Sequence, residues 1–318
     1  MKLLVLATTT AALLLVSVAA GDQVVHHESV WTSEFPVVPA KKQVITIPLF
    51  GDLSSTDPFN FYGHVAIGTP PQHFKLHMAT REPMLSIPNF KPPPESVQAF
   101  YDHNTSSSYE ADGICISSMG MQYAYNGYFS RDSIRFGDLE VKNVSFVEVT
   151  DVTQPANFAN LQFDGMFGLS PIIWELTVLQ QLLRSKAISE PVFTFRFNKT
   201  QEASPRIDEP ASVGEVMIGA IDKHHYSGRL HYVKTLVDSI WNVKLDAVTV
   251  HGKNFVSDPE SAILTVMPSS PFIIGPNAEI ERLANAVGAT EGDVIDCSSQ
   301  GPDIVIKIGG VKYTLTKD

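Results

Sequence analysis

The chain has 318 residues, 44% of them hydrophobic and 18% charged, which suits one large or two medium globular domains. Its formal net charge is −11 and it carries no basic clusters, so nucleic acid and anionic membrane surfaces are excluded as natural partners.

Residues 1–20 read as a signal peptide. Lys2 supplies a positive start, Leu3 to Val18 is almost unbroken apolar sequence, and Val18-Ala19-Ala20 places small residues at the cleavage positions. The run is short for a membrane anchor and no second span follows, so no membrane span is expected after signal removal. The mature chain then starts near Gly21 and is secreted or held in the endomembrane lumen. Asn104, Asn143 and Asn198 each open an Asn-x-Ser/Thr triplet, which in such a compartment is a candidate glycosylation site. Cys115 and Cys297 are the sole cysteines. An oxidising compartment favours one disulfide, and two unpaired thiols fit the sequence equally well.

Most of the remaining chain reads as short strands punctuated by 20 Gly and 21 Pro. Alternation and β-branched content mark Val44–Pro48, Phe61–Ile67, Phe74–Met78, Asp132–Phe136, Val144–Val149, Val192–Phe197 and Val213–Ile218. Two segments read as helix. In Pro171–Ile188, Ile172, Leu176, Leu179 and Leu183 share a face. In Asn277–Val287, Asn277 is placed to cap the start and Gly288 the end. Ile304–Ile308 and Val311–Leu315 flank Gly309-Gly310 and read as a hairpin with a two-residue turn.

A series of motifs in one order carries a resemblance. Tyr62-Gly63-His64-Val65-Ala66-Ile67-Gly68-Thr69-Pro70-Pro71-Gln72 comes first. Ser106-Ser107-Ser108-Tyr109, Gly127-Tyr128-Phe129-Ser130, Phe163-Asp164-Gly165-Met166-Phe167-Gly168-Leu169 and Gly214-Glu215-Val216-Met217-Ile218-Gly219 follow. The stretch from Val44 to Asp318 resembles the pepsin-like aspartic peptidases. The resemblance implies an all-β, bilobal pepsin-like acid protease fold with a few short helices and a substrate cleft between the lobes. It divides the chain into residues 1–20 (signal peptide), 21–43 (a short prosegment remnant or linker), 44–203 (N-terminal β lobe) and 204–318 (C-terminal β lobe). Strands and a partner for Cys297 that the family carries beyond the position of Asp318 leave that second lobe incomplete by this comparison.

The resemblance also implies two active-site loops, each with one aspartate followed by Thr/Ser and Gly. The paired carboxylates share a proton; one activates water while the other polarises the scissile carbonyl. Here the first loop aligns as Ala79-Thr80-Arg81-Glu82-Pro83, with Ser86 where the family has tryptophan. The second aligns as Met267-Pro268-Ser269-Ser270-Pro271. Both aspartate positions, Ala79 and Met267, are therefore without a carboxylate. Arg81 is expected to crowd a close backbone approach, and Pro268 lacks the hydroxyl that would brace Thr80. Glu82 lies three residues past Ala79 in the sequence and is expected to point elsewhere. Tyr123 matches the family's flap tyrosine, but Ala124-Tyr125-Asn126 replaces its glycine-rich tip.

The expectation is a secreted pseudoprotease that holds a peptide or protein ligand in the cleft. A weakly active endopeptidase using Glu82, or a truncated product without function, are the alternatives. No cofactor is implied. The histidine pairs His26-His27 and His224-His225 lack zinc-site spacing with cysteines, so no metal site is expected. No Gly-x-Ser-x-Gly elbow supports a serine hydrolase.

Overall fold

The computed structural model describes residues 2–7, 13–18, 44–51, 61–92, 96–119, 124–153, 158, 161–172, 177–198, 212–226, 228–268, 270, 272–289, 295 and 301–316. It is mostly strand, as the all-β expectation requires. In chain order the strands begin with β1 (Lys2–Ala7), β2 (Leu13–Val18), β3 (Ile45–Phe50), β4 (Tyr62–Ile67), β5 (Gln72–Ala79) and β6 (Ser86–Pro88). Then come β7 (Glu110–Met119), β8 (Ala124–Phe136), β9 (Leu139–Val152), β10 (Gly165–Gly168), β11 (Val192–Phe197) and β12 (Ser212–Ile218). The rest are β13 (Tyr232–Lys234), β14 (Asn242–Lys244), β15 (Ala247–Val250), β16 (Lys253–Asn254), β17 (Ile263–Thr265), β18 (Ile304–Ile308) and β19 (Val311–Leu315).

Alternation explains β3, whereas β6 and β10 are buried at every position. In β3, Ile45, Ile47 and Leu49 are buried while Thr46 and Pro48 face outward, the period of a half-buried strand. One large sheet runs β13-β1-β2-β11-β12-β3-β4-β5-β10-β6-β9-β8-β7, and a further β4–β8 pairing folds it back on itself. Phe74, Leu76, Tyr101, Phe146, Phe167, Phe193 and Phe195 fill the core it encloses. The expected lobe boundary at 203/204 falls between β11 and β12, which pair with each other from Phe193↔Ile218 to Phe197↔Gly214.

The span read as a signal peptide contributes β1 and β2. They pair with each other along their full length, and β2 pairs with β11 while β1 pairs with β13. Removal of a leader at Ala20 takes both strands out together and leaves β11 and β13 without those neighbours. Residues 21–43 lie outside the described residues.

Among the described residues, two α-helices form. The first, α1 (Val178–Arg184), buries Val178, Leu179 and Leu182. Its Gln181 side chain bonds both backbone groups of Ser145 on β9, accepting at 2.6 Å and donating at 2.9 Å. The helix is shorter than the expected Pro171–Ile188; Leu176 lies outside the described residues. The second, α2 (Asn277–Val287), has the expected bounds, but Pro276 rather than Asn277 occupies the N-cap. The Pro276 carbonyl accepts from both Glu279 and Ile280, so a proline with fixed φ starts the helix without a side-chain cap. Gly288 ends it at φ 85°, as expected of a left-handed C-cap.

β12 and β13 belong to the large sheet, and after β13 the described strands form a β14–β17 pair and a sheet ordered β16-β15-β18-β19. Leu283 of α2 packs there with Val250 and Phe255. The hairpin β18–β19 turns through Gly309 (φ 57°) and Gly310 (φ 83°), both left-handed as a two-residue turn of this kind requires.

Candidate functional site

The first loop is built by a threading arrangement. β5 runs into Ala79, the chain turns, and β6 returns from Ser86. β10 inserts between them, parallel to β5 (Gly165↔Leu76 to Gly168↔Ala79) and antiparallel to β6 at Met166↔Ser86. This closes the loop around the Phe163–Leu169 motif. A Cβ on Gly168 would stand 2.5 Å from the Met84 nitrogen and 2.6 Å from the Glu82 carbonyl oxygen, so only glycine lets the loop settle there. Leu169 N–H donates to the Ala79 carbonyl at 2.9 Å, and Ser170 N–H to that of Glu82 at 3.0 Å. Asp164 anchors the approach: its carboxylate accepts from the backbone N–H groups of Lys75 and Ala99, each at 2.7 Å. Burial raises its pKa, against the lowering effect of those two bonds.

The second loop leaves β17, and Val266 N–H donates to the Trp241 carbonyl at 3.0 Å. Pro268 is buried and Met267 half-buried. Ser269 lies outside the described residues. The two loops meet. Thr80 donates its hydroxyl to the Val266 carbonyl at 3.3 Å, and Arg81 Nη1 stands 3.9 Å from Met267 Sδ. Behind them Trp241 Nε1 donates to the Leu169 carbonyl at 2.8 Å and Ser170 Oγ to that of Ser239 at 2.9 Å. The brace expected to fail at Pro268 is thus replaced by a hydroxyl-to-carbonyl bond two residues earlier, at Val266. Arg81 is exposed, and its guanidinium reaches toward Met267.

Ala79 is only 6% exposed and belongs to an apolar cluster with Met84, Tyr125, Phe129, Phe158 and Phe163. Glu82 supplies the only carboxylate in residues 79–88 and 266–276 and is itself buried. Tyr125, near the start of β8, is buried in the same apolar cluster as Ala79 and Met84. Burial raises its pKa, and the nearby charge of Glu82 adds to that rise. Sequence reasoning missed this packing. A second missed group surrounds Glu148, which is fully buried. Ser130 donates to it, as do Tyr128 at 3.2 Å and Asn89 at 3.3 Å, and His103 Nδ1 lies at 2.9 Å. Burial first, then the charge of Glu148, push Tyr128 up to about 12.

Tyr123 lies outside the described residues. Asn104 and Asn143 are exposed; Asn198 is half-buried and donates to the Ser212 carbonyl at 3.3 Å. Among the described residues Cys115 is an exposed free thiol, and Cys297 falls outside them. No cluster of three or more His, Cys, Asp or Glu among the described residues has the geometry to hold a metal. No described helix is long and apolar enough to cross a membrane.

A loop threaded by β10 and met by a second loop after β17, within an all-β frame, fits the class of acid-protease-like proteins. The model of the eukaryotic aspartyl protease family matches residues 60–318, and the chain belongs to that family. It is 30% identical over 269 residues to a renin of Echis ocellatus, covering 80% of this chain and 66% of the renin. It is 29% identical over 309 residues to cathepsin D of Gallus gallus, covering 89% of this chain and 75% of the relative. An aspartic proteinase of Oryza sativa subsp. japonica matches at 29% over 262 residues, 78% of this chain and 49% of that protein. The chain therefore spans just under two thirds of the renin's length.

Proposed function

We propose that this chain is a secreted, non-catalytic member of the aspartyl protease family that binds a peptide or protein between its lobes. The observation that carries this reading is the composition of the loop junction: Ala79, Thr80 and Arg81 face Val266, Met267 and Pro268, with no pair of carboxylates there to share a proton. General acid–base attack by water needs two such groups within hydrogen-bond reach of one water molecule. Glu82 is a single buried carboxylate beside Tyr125, which leaves half of the required pair.

The test is proteolysis of denatured globin by the purified protein from acid to neutral pH. The expected result is no turnover above a buffer control. Steady turnover abolished by a pepsin-family inhibitor would overturn the reading, and its loss in Glu82→Gln would assign it to that carboxylate. Secretion rests on the apolar run of Leu3–Val18 and the small residues before Gly21. N-terminal sequencing of protein recovered from culture medium is expected to begin at Gly21. Glycan attachment at Asn104 and Asn143 fits their exposure, whereas attachment at Asn198 displaces its bond to Ser212. Single Asn→Gln variants, compared by their mobility shift on deglycosylation, decide occupancy.

A further inference from the structure

We infer that the lobe junction recognises a carboxylate of an acidic peptide through the guanidinium of Arg81. This rests on the peptide-binding reading above and names the chemistry of its ligand.

Three observations support it. First, the loop positions aligned with the family's aspartates are neutral, while the loop exposes a cation at Arg81 and buries its one carboxylate, Glu82. Second, Arg81 is exposed and uncommitted. Among the described residues its polar contact is the Met267 sulfur at 3.9 Å, and no carboxylate lies within ion-pair distance. A thioether is a weak acceptor, whereas a guanidinium binds a carboxylate through two parallel N–H donors. An unpaired arginine in a chain of net charge −11 is a distinct feature of this junction. Third, the apolar groups beside the loop are already used by the protein itself. Ala79 and Met84 pack with Tyr125 in one buried cluster. That leaves Arg81 as the exposed recognition group on the first-lobe side, with Met267 beside it to take the aliphatic stem of an acidic residue. The contact spans both lobes, so a ligand carboxylate bound there touches each of them.

The experiment uses fluorescein-labelled peptide pools with random flanking residues and a single fixed central position, Glu in one pool and Gln in the other. Anisotropy titrations of the full secreted protein are expected to show about tenfold tighter binding of the Glu pool at low salt, a preference that narrows as salt screens the exposed charge. Arg81→Gln is expected to abolish the difference between pools, and Arg81→Lys to restore part of it. Thermal unfolding of each variant checks that its fold is intact; the exposed position makes a shift of the midpoint unexpected. Equal binding of both pools by the unsubstituted protein overturns the inference and leaves the peptide-binding reading standing. So does a preference that survives Arg81→Gln. Absence of binding by either pool overturns the peptide-binding reading and this inference with it.

Discussion

At the scale of single residues, the junction differs in more than two side chains from the loops that the family resemblance implies. Restoring Ala79→Asp and Met267→Asp together is expected to yield no turnover of denatured globin. Arg81 would pair with a new carboxylate beside it, lower its pKa and hold it ionised, which removes the shared proton. Pro268 also keeps the second loop in its present buried course. Thr80→Val keeps the shape and removes the hydroxyl that reaches Val266, leaving that carbonyl without the donor. It is expected to lower stability by about 1 kcal/mol in denaturant unfolding.

Asp164 carries a pH signature. Its folded pKa is raised above the ordinary aspartate value by burial, so the folded state binds the proton more tightly than the unfolded chain does. Its protonation therefore contributes stability that is fully present below the unfolded pKa and is lost as pH rises through the raised folded value. Asp164→Asn is expected to destabilise by about 2 kcal/mol, since an amide accepts from Lys75 or Ala99 while presenting N–H to the other. That difference should be largest at the acid end and shrink as pH rises. Unfolding free energies of both proteins across the acid range check the sign. A difference that grew with pH would mean the two backbone bonds outweigh burial.

At the scale of elements, the loop depends on its glycine as much as on its own residues. Gly168→Ala places a methyl group against the Met84 and Glu82 backbone, which has no side chain to move aside. A loss of roughly 3 kcal/mol in denaturant unfolding is expected. Several elements were legible in the sequence because a local rule decides them. Alternation marked β3, Val192–Phe197 was read with the bounds of β11, and Gly309-Gly310 predicted the β18–β19 turn. Residues 110–119 were not read as a strand. β7 is the edge of the large sheet, and its polar, glycine-containing sequence is held by backbone bonds to β8 rather than by a buried face. An edge strand of that kind leaves no hydrophobic period to detect. The bounds of α2 were read correctly, but its N-cap was not, because Pro276 has no side-chain acceptor to mark it as a cap.

At the scale of the whole molecule, residues 204–318 join the preceding chain through the pairing of β12 with β11 and β3 and through buried polar contacts behind the loops. Trp241 is 1% exposed and its indole N–H reaches the first lobe at Leu169. Trp241→Phe removes that bond and leaves a void, and about 2 kcal/mol of lost stability is expected in denaturant unfolding.

The sequence by itself determined the family frame, the residues at both loop positions, the acidic charge and most interior strands, since each rests on residue identity or a short-range period. An unbroken apolar run such as residues 3–18 suits a cleaved leader and a pair of interior sheet strands alike, so periodicity there carries no choice. Only the tertiary structure decided that Thr80 finds Val266, that Arg81 crosses to Met267, and that Tyr125 packs in one cluster with Ala79 and Met84. Those contacts join residues far apart in the chain. Their partners are chosen by how β10 threads the first loop and by how the lobes meet, which no local pattern records.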